Sequence, residues 1–152
     1  MAAWLAGELD GEHAHRRSSA VFEGLPLDAA GRRPSEVPYT IWQVLQHMIW
    51  WQDWWLARVA GDRPVNPPDL AATWDARVAP TDAASLHAAI AHFQHGVARA
   101  QDHAAGNPDA SVDADPPGTR GSELLQLATH NSYHAGQIVL MRRVLGCWPP
   151  QP

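Results

Sequence analysis

The sequence predicts an all-α protein, a four-helix bundle, on three observations. Four stretches of roughly 20 residues carry apolar side chains at helical spacing, and no stretch alternates apolar with polar residues as a half-buried strand would. Segments rich in proline, glycine and small polar residues separate the four. With 152 residues the chain reads as one domain over 1–152, long enough to bury a sizeable core.

The elements follow in order. Residues 4–23 favour helix, with Leu5, Leu9 and Ala20 on one side, although Gly7 and Gly11 weaken the first turns. Residues 26–38 read as a loop with one short helical turn at 27–30. The second helix starts after Thr40 as N-cap and runs to Val59, and Gly61 ends it. It has an aliphatic side of Ile41, Leu45, Met48, Leu56 and Val59, and a second apolar side of Val44, His47, Trp50, Trp51, Trp54 and Trp55.

Residues 62–80 form a long proline-bearing connection, a candidate lid, with Trp74 expected to tuck back onto the helices. The third helix covers about residues 82–104 on a stripe of Leu86, Ile90, Phe93, Val97 and Ala100, before Gly106-Asn107-Pro108. His92, His95 and His103 fall opposite that stripe and His87 at its edge, so they read as surface. After a polar loop over 110–120, Ser122 is the expected N-cap of a fourth helix that runs to about Leu145 and stops at Gly146. Glu123 in its first turn and Arg142 and Arg143 near its end suit the helix dipole.

Composition excludes several classes. The net charge of −5 leaves no basic face for nucleic acid, and the pairs Arg16-Arg17, Arg32-Arg33 and Arg142-Arg143 read as scattered solvated surface. No apolar run reaches a membrane span, because Gln52, Asp53 and Arg58 interrupt the most hydrophobic segment. The single cysteine, Cys147, excludes an internal disulfide, and Glu8 and Asp10 break up any signal-peptide core, so a cytoplasmic protein is expected.

The chemistry centres on His130 and His134. Four residues apart in a helix, they share one face with Leu127, Ile138, Met141 and Leu145, and that face should point inward. An unpaired buried polar group costs about 1–3 kcal/mol, and a shared metal satisfies one nitrogen on each ring. The expected third ligand is His47. Three neutral imidazoles would hold a divalent ion, at about 2.0–2.1 Å for zinc, and leave a position open for water or substrate. Imidazole also suits nickel, copper and iron.

Each ligand needs an outer acceptor, and Glu123, Gln126 and Gln137 share the histidine face of the fourth helix, while Gln43 lies one turn before His47. Trp50, Trp51 and Trp54 are expected to wall a substrate pocket or to pack against another subunit. A bound metal could lower the pKa of water to about 7, or bind a substrate thiol as thiolate. Cys147 reads as a structural thiol. The plainer alternative is that the histidines are core groups hydrogen-bonded to Gln137 or Ser132.

Two segments carry a family resemblance. Residues Pro38-Tyr39-Thr40-Ile41-Trp42-Gln43-Val44-Leu45-Gln46-His47-Met48, with the later Trp54, and Thr129-His130-Asn131-Ser132-Tyr133-His134-Ala135-Gly136-Gln137-Ile138, followed by Leu145-Gly146, resemble the DinB-like superfamily of metalloenzymes. Gly24-Leu25-Pro26 and Arg33-Pro34 also sit where such proteins have their first loop. The resemblance implies an up-down-down-up four-helix bundle, commonly a homodimer, with a metal held at the positions of His47, His130 and His134. Relatives of this kind include bacillithiol S-transferases and mycothiol-dependent maleylpyruvate isomerases, which makes a low-molecular-weight thiol an expected co-substrate.

The sequence therefore supports a metal-dependent enzyme, zinc or nickel being favoured, with thiol transfer or isomerisation ahead of hydrolysis. The alternative is a non-catalytic, stress-related or dimeric ligand-binding module in which the histidines staple two helices. A tryptophan-rich wall points to an apolar or aromatic small molecule as the ligand.

Overall fold

The computed structural model describes residues 2–113 and 116–150, and it is predominantly helical. Helices α1 (Ala2–Glu8), α2 (Leu27–Gly31), α3 (Ile41–Ala60), α4 (Ala83–Ala105) and α5 (Arg120–Val144) are joined by 3₁₀ turns at Ser18–Ala20 and Leu70–Thr73. Strands β1 (Ser111–Val112) and β2 (Gly118–Thr119) form a small antiparallel pair, with Ser111 opposite Thr119 and Val112 opposite Gly118. Helix α3 is central and packs against both α4 and α5, while α1 lies mainly on α4. No helix among the described residues is long and apolar enough to cross a membrane.

All three long helices begin with reciprocal capping boxes. Thr40 pairs with Gln43 ahead of α3, Asp82 with Ser85 ahead of α4, and Thr119 with Ser122 ahead of α5. Each satisfies two otherwise orphaned backbone donors, and the cap side chain is worth about 1 kcal/mol. Gly61 closes α3 with φ 99°, a left-handed conformation that side chains resist. The start of α5 differs from expectation. Thr119 is the cap, and Ser122 is its partner inside the first turn, because the Thr119 hydroxyl accepts the Ser122 N–H at 3.2 Å.

The long first helix expected over 4–23 does not form. It stops at Glu8, the chain turns through Gly11 with φ 75°, and Asp10 accepts hydrogen bonds from the Ser19 N–H and hydroxyl, both at 2.7 Å. A carboxylate that caps a turn competes with continued helix, and Gly11 supplies the reversal.

Two apolar clusters make the core. One gathers Phe22, Ile41, Leu45, Met48, Phe93, Ile138 and Met141, and the other Leu9, Leu56, Val59, Ala100, Leu124 and Leu127. Full burial of one such aliphatic side chain stabilises the fold by about 1.5–3 kcal/mol. Close approach of α3 and α4 depends on Gly96, where a Cβ would lie 1.8 Å from Nε2 of the fully buried Gln52, which donates to the Phe93 carbonyl at 3.1 Å.

Arg142 corrects the reading of the arginine pairs as surface. It lies one turn after Ile138 on the core face of α5, has no solvent exposure, and donates to the carbonyls of Val21 and Cys147. Its guanidinium stands 5.0 Å from the centre of the Trp148 ring. Buried main-chain acceptors and an aromatic face take the place of water.

Candidate metal centre

The 3.6-residue period of α5 sets His130 and His134 one above the other, with ring centres 4.5 Å apart. His47 projects from the second turn of α3 to meet them, its ring centre 5.2 Å from that of His130 and 4.9 Å from that of His134. One nitrogen from each of the three rings lies within 4.8 Å of the others, close enough to hold a metal ion.

The outward nitrogens decide which inward ones are free. Nδ1 of His47 is 2.8 Å from the Thr73 hydroxyl, which itself donates to the Leu70 carbonyl at 2.8 Å. The hydroxyl has only one proton, so it accepts from Nδ1–H and leaves Nε2 of His47 with its lone pair. Nδ1 of His134 donates in the same way to Oε1 of Gln137 at 2.8 Å. Two of three imidazoles are thus fixed in the tautomer a metal requires.

The Nε2 atoms of His47 and His130 are 3.3 Å apart. Two ligands at about 2.0–2.1 Å in a tetrahedral arrangement stand about 3.3–3.4 Å from one another, so this pair already has the needed separation. Burial pushes the His47 imidazole down to about 4, with the neighbouring His134 adding to it and the Thr73 hydrogen bond opposing. His130 is pushed down to about 3 by burial, then by His134 and His47, against the adjacent Asn131 carboxamide. Burial also lowers His134, and Gln137 opposes. All three rings are neutral near pH 7, the state that ligates.

The other expected outer acceptors have different partners. Gln43 serves the capping box of α3 and donates to the Asp75 carbonyl at 2.9 Å. Glu123 is buried against Arg58, accepting at 2.8 and 2.9 Å, an ion pair that joins α3 to α5. Gln126 is exposed and bonds within its own helix, to the Ser122 carbonyl. Both Gln43 and Glu123 lie on histidine-bearing helices, but nearer unpaired groups claim them. His92 pairs with Asp53 on the surface, and His15 with Ser132.

The segment after α3 is fastened rather than free. The Thr40 hydroxyl donates to the Val78 carbonyl, Gln43 to that of Asp75, and the Trp54 indole to that of Val65. It delivers Thr73, and it lays Trp74 flat between Tyr39 and His47, with ring centres 3.6 and 4.0 Å away. Neither Thr73 nor Tyr39 carries a periodic signal; only the Asp69 cap, accepting the Ala72 N–H, hints at the turn that aims Thr73.

Cavities flank the triad on two sides. One of about 400 Å³ is walled by Tyr39, Val44, Trp74, Tyr133, His134 and Leu140 among others. A more open one of about 560 Å³ is walled by Trp55, Leu125, Gln126, Thr129, His130 and Tyr133. Of the tryptophans named from sequence, Trp51 approaches His130 with ring centres 6.3 Å apart, Trp50 lines a separate hollow beside Gln46 and Asp75, and Trp54 covers the Arg58 guanidinium at 4.7 Å. The indole nearest His130 is that of Trp55, with ring centres 5.3 Å apart.

The family model of the DinB superfamily matches residues 11–138. The chain belongs to the DinB superfamily. That span takes in α2, α3, α4 and all three histidines. No curated protein and no solved structure matches this DinB superfamily chain.

Proposed function

We propose that this DinB superfamily protein is a metal-dependent enzyme that binds a divalent ion, zinc or nickel, at His47, His130 and His134, with thiol transfer or isomerisation ahead of hydrolysis. The observation that carries the reading is the pair of outer hydrogen bonds, Thr73 with His47 and Gln137 with His134, which leave two Nε2 lone pairs free in a cluster where one nitrogen from each ring lies within 4.8 Å of the others. A metal bound there supplies a Lewis acid that can activate a thiol or a water.

The chain's own residues hold and orient. Trp74, stacked on His47, fixes the plane of that ring and excludes water from one side, and Trp55 does so edge-on for His130. The cavity beside His134 has no charged residue among those that wall it, which suits an uncharged apolar substrate body. A small-molecule substrate and a low-molecular-weight thiol fit this reading. We further read the helices as the up-down-down-up bundle with α1 as a shortened first member, and the protein as a cytoplasmic homodimer.

Elemental analysis of the purified protein tests the centre. About one zinc or nickel per chain, lost in His47→Ala and His134→Ala, is the expected result. A cobalt-substituted sample should then change its visible spectrum on addition of a low-molecular-weight thiol. An unchanged spectrum at saturating thiol overturns thiol chemistry, and no turnover together with indifference to azide would favour a structural, non-catalytic metal.

A further inference from the structure

Asn131 is the anomaly of α5. It lies mid-helix, where asparagine is a poor former, and it is 1 % exposed. Neither its Nδ2 nor its Oδ1 reaches full hydrogen-bond geometry with any group, and the adjacent His130 has a buried, unpartnered Nδ1, although the carboxamide stands close enough to that imidazole to favour its protonated form. Buried polar groups are normally paired, and an apolar residue here would fold at less cost. The two orphans are neighbours in sequence, while the corresponding Nδ1 atoms of His47 and His134 are both served.

We infer that Asn131 is a positioning residue for His130, its carboxamide oxygen accepting the Nδ1–H of that ring once Nε2 is engaged by a cation. The inference rests on the metal-binding reading above. Without a cation, the 3.3 Å approach of the His47 and His130 Nε2 atoms requires a proton between them. His47 keeps its proton on Nδ1, so His130 must donate from Nε2, and its Nδ1 then bears a lone pair. With a cation the proton moves to Nδ1. A carboxamide answers both states, because a turn about χ2, a soft torsion, presents N–H to the lone pair or C=O to the N–H. A carboxylate or a hydrocarbon at this position could not. The pairing also explains why a polar group is tolerated in the core beside the triad, and it gives each of the three rings an outer partner.

The test compares wild type with Asn131→Leu, a similar-sized apolar replacement. Zinc affinity, measured by competition with a chromophoric chelator, should fall about 10- to 100-fold in the variant, while the metal-free variant should remain folded and unfold cooperatively. Ring ¹⁵N spectra add a readout independent of affinity. In zinc-loaded wild type, His130 should show a protonated, hydrogen-bonded Nδ1, and the Asn131 side-chain amide resonances should shift on loading, an observation that needs no variant. Equal zinc affinity in Asn131→Leu, or Asn131 amide resonances unmoved by zinc, overturns the inference. Wild type that binds neither zinc nor nickel removes the metal-binding reading and this one with it, an outcome distinct from a wild type that binds and a variant that binds equally well.

Discussion

The hydroxyl of Thr73 joins Nδ1 of His47 to the carbonyl of Leu70, with 2.8 Å on each side. A residue of a connecting segment thereby sets the tautomer of a residue on the buried face of α3. Thr73→Val keeps the shape and removes the acceptor. Zinc affinity should fall about 10- to 100-fold, as for loss of other outer partners of ligating histidines. Chelator competition measures it, and an affinity equal to wild type would mean that the Trp74 stack alone orients His47.

Acid should weaken the metal-free fold over a defined range. His47 and His130 sit near 4 and 3 when folded, against an ordinary 6.5. The unfolded chain therefore binds protons that the folded chain refuses as pH falls from about 6.5 toward 4, and stability drops across that window; above it the contribution is constant. Urea denaturation of chelator-treated protein at pH 7.5 and 4.5 should show a loss at least about 2 kcal/mol greater than in the double variant His47→Leu/His130→Leu, which cannot titrate there. An equal loss in both would place the acid sensitivity elsewhere.

Gly96 gives a packing prediction. Gly96→Ala drives a methyl against the Gln52 amide, which is buried and tied to the Phe93 carbonyl. Gln52 cannot swing away without leaving its own buried amide N–H unpaired. The variant should lose about 1–3 kcal/mol by urea denaturation, and Gly96→Ala combined with Gln52→Ala should lose less than the sum of the two single changes.

What the sequence made legible follows periodicity. The 3.6-residue spacing of apolar side chains located α3, α4 and α5, with Thr40 and Gly61 as the bounds of α3, and it aligned His130 with His134. The first helix was misread because Asp10 and Gly11 act through a nine-residue return to Ser19 that no helical pattern encodes. Thr73 escaped for a related reason, since it reaches the site from an aperiodic segment, whereas Trp55 shares the His47 side of α3 with the other tryptophans and was legible there. Arg142 looked like surface because its partners, the Val21 and Cys147 carbonyls, come from the residue after the Ser18–Ala20 turn and from the stretch just past α5, which no helical pattern places against it.

Glu123 separates an orienting role from a bracing one. Its carboxylate is paired with Arg58 inside the protein, the two side chains being 4 % and 6 % exposed. Glu123→Leu removes the carboxylate that faces the buried Arg58 guanidinium and should cost about 3–5 kcal/mol, whereas Arg58→Met/Glu123→Leu, which removes both charges of the pair and keeps apolar volume, should recover most of that stability. Zinc affinity supplies the second readout. Since neither oxygen of Glu123 is bonded to a triad imidazole, the double variant should bind zinc as wild type does once folded. A large loss of affinity in a stable double variant would show instead that the ion pair holds α3 and α5 at the spacing His47 and His130 require.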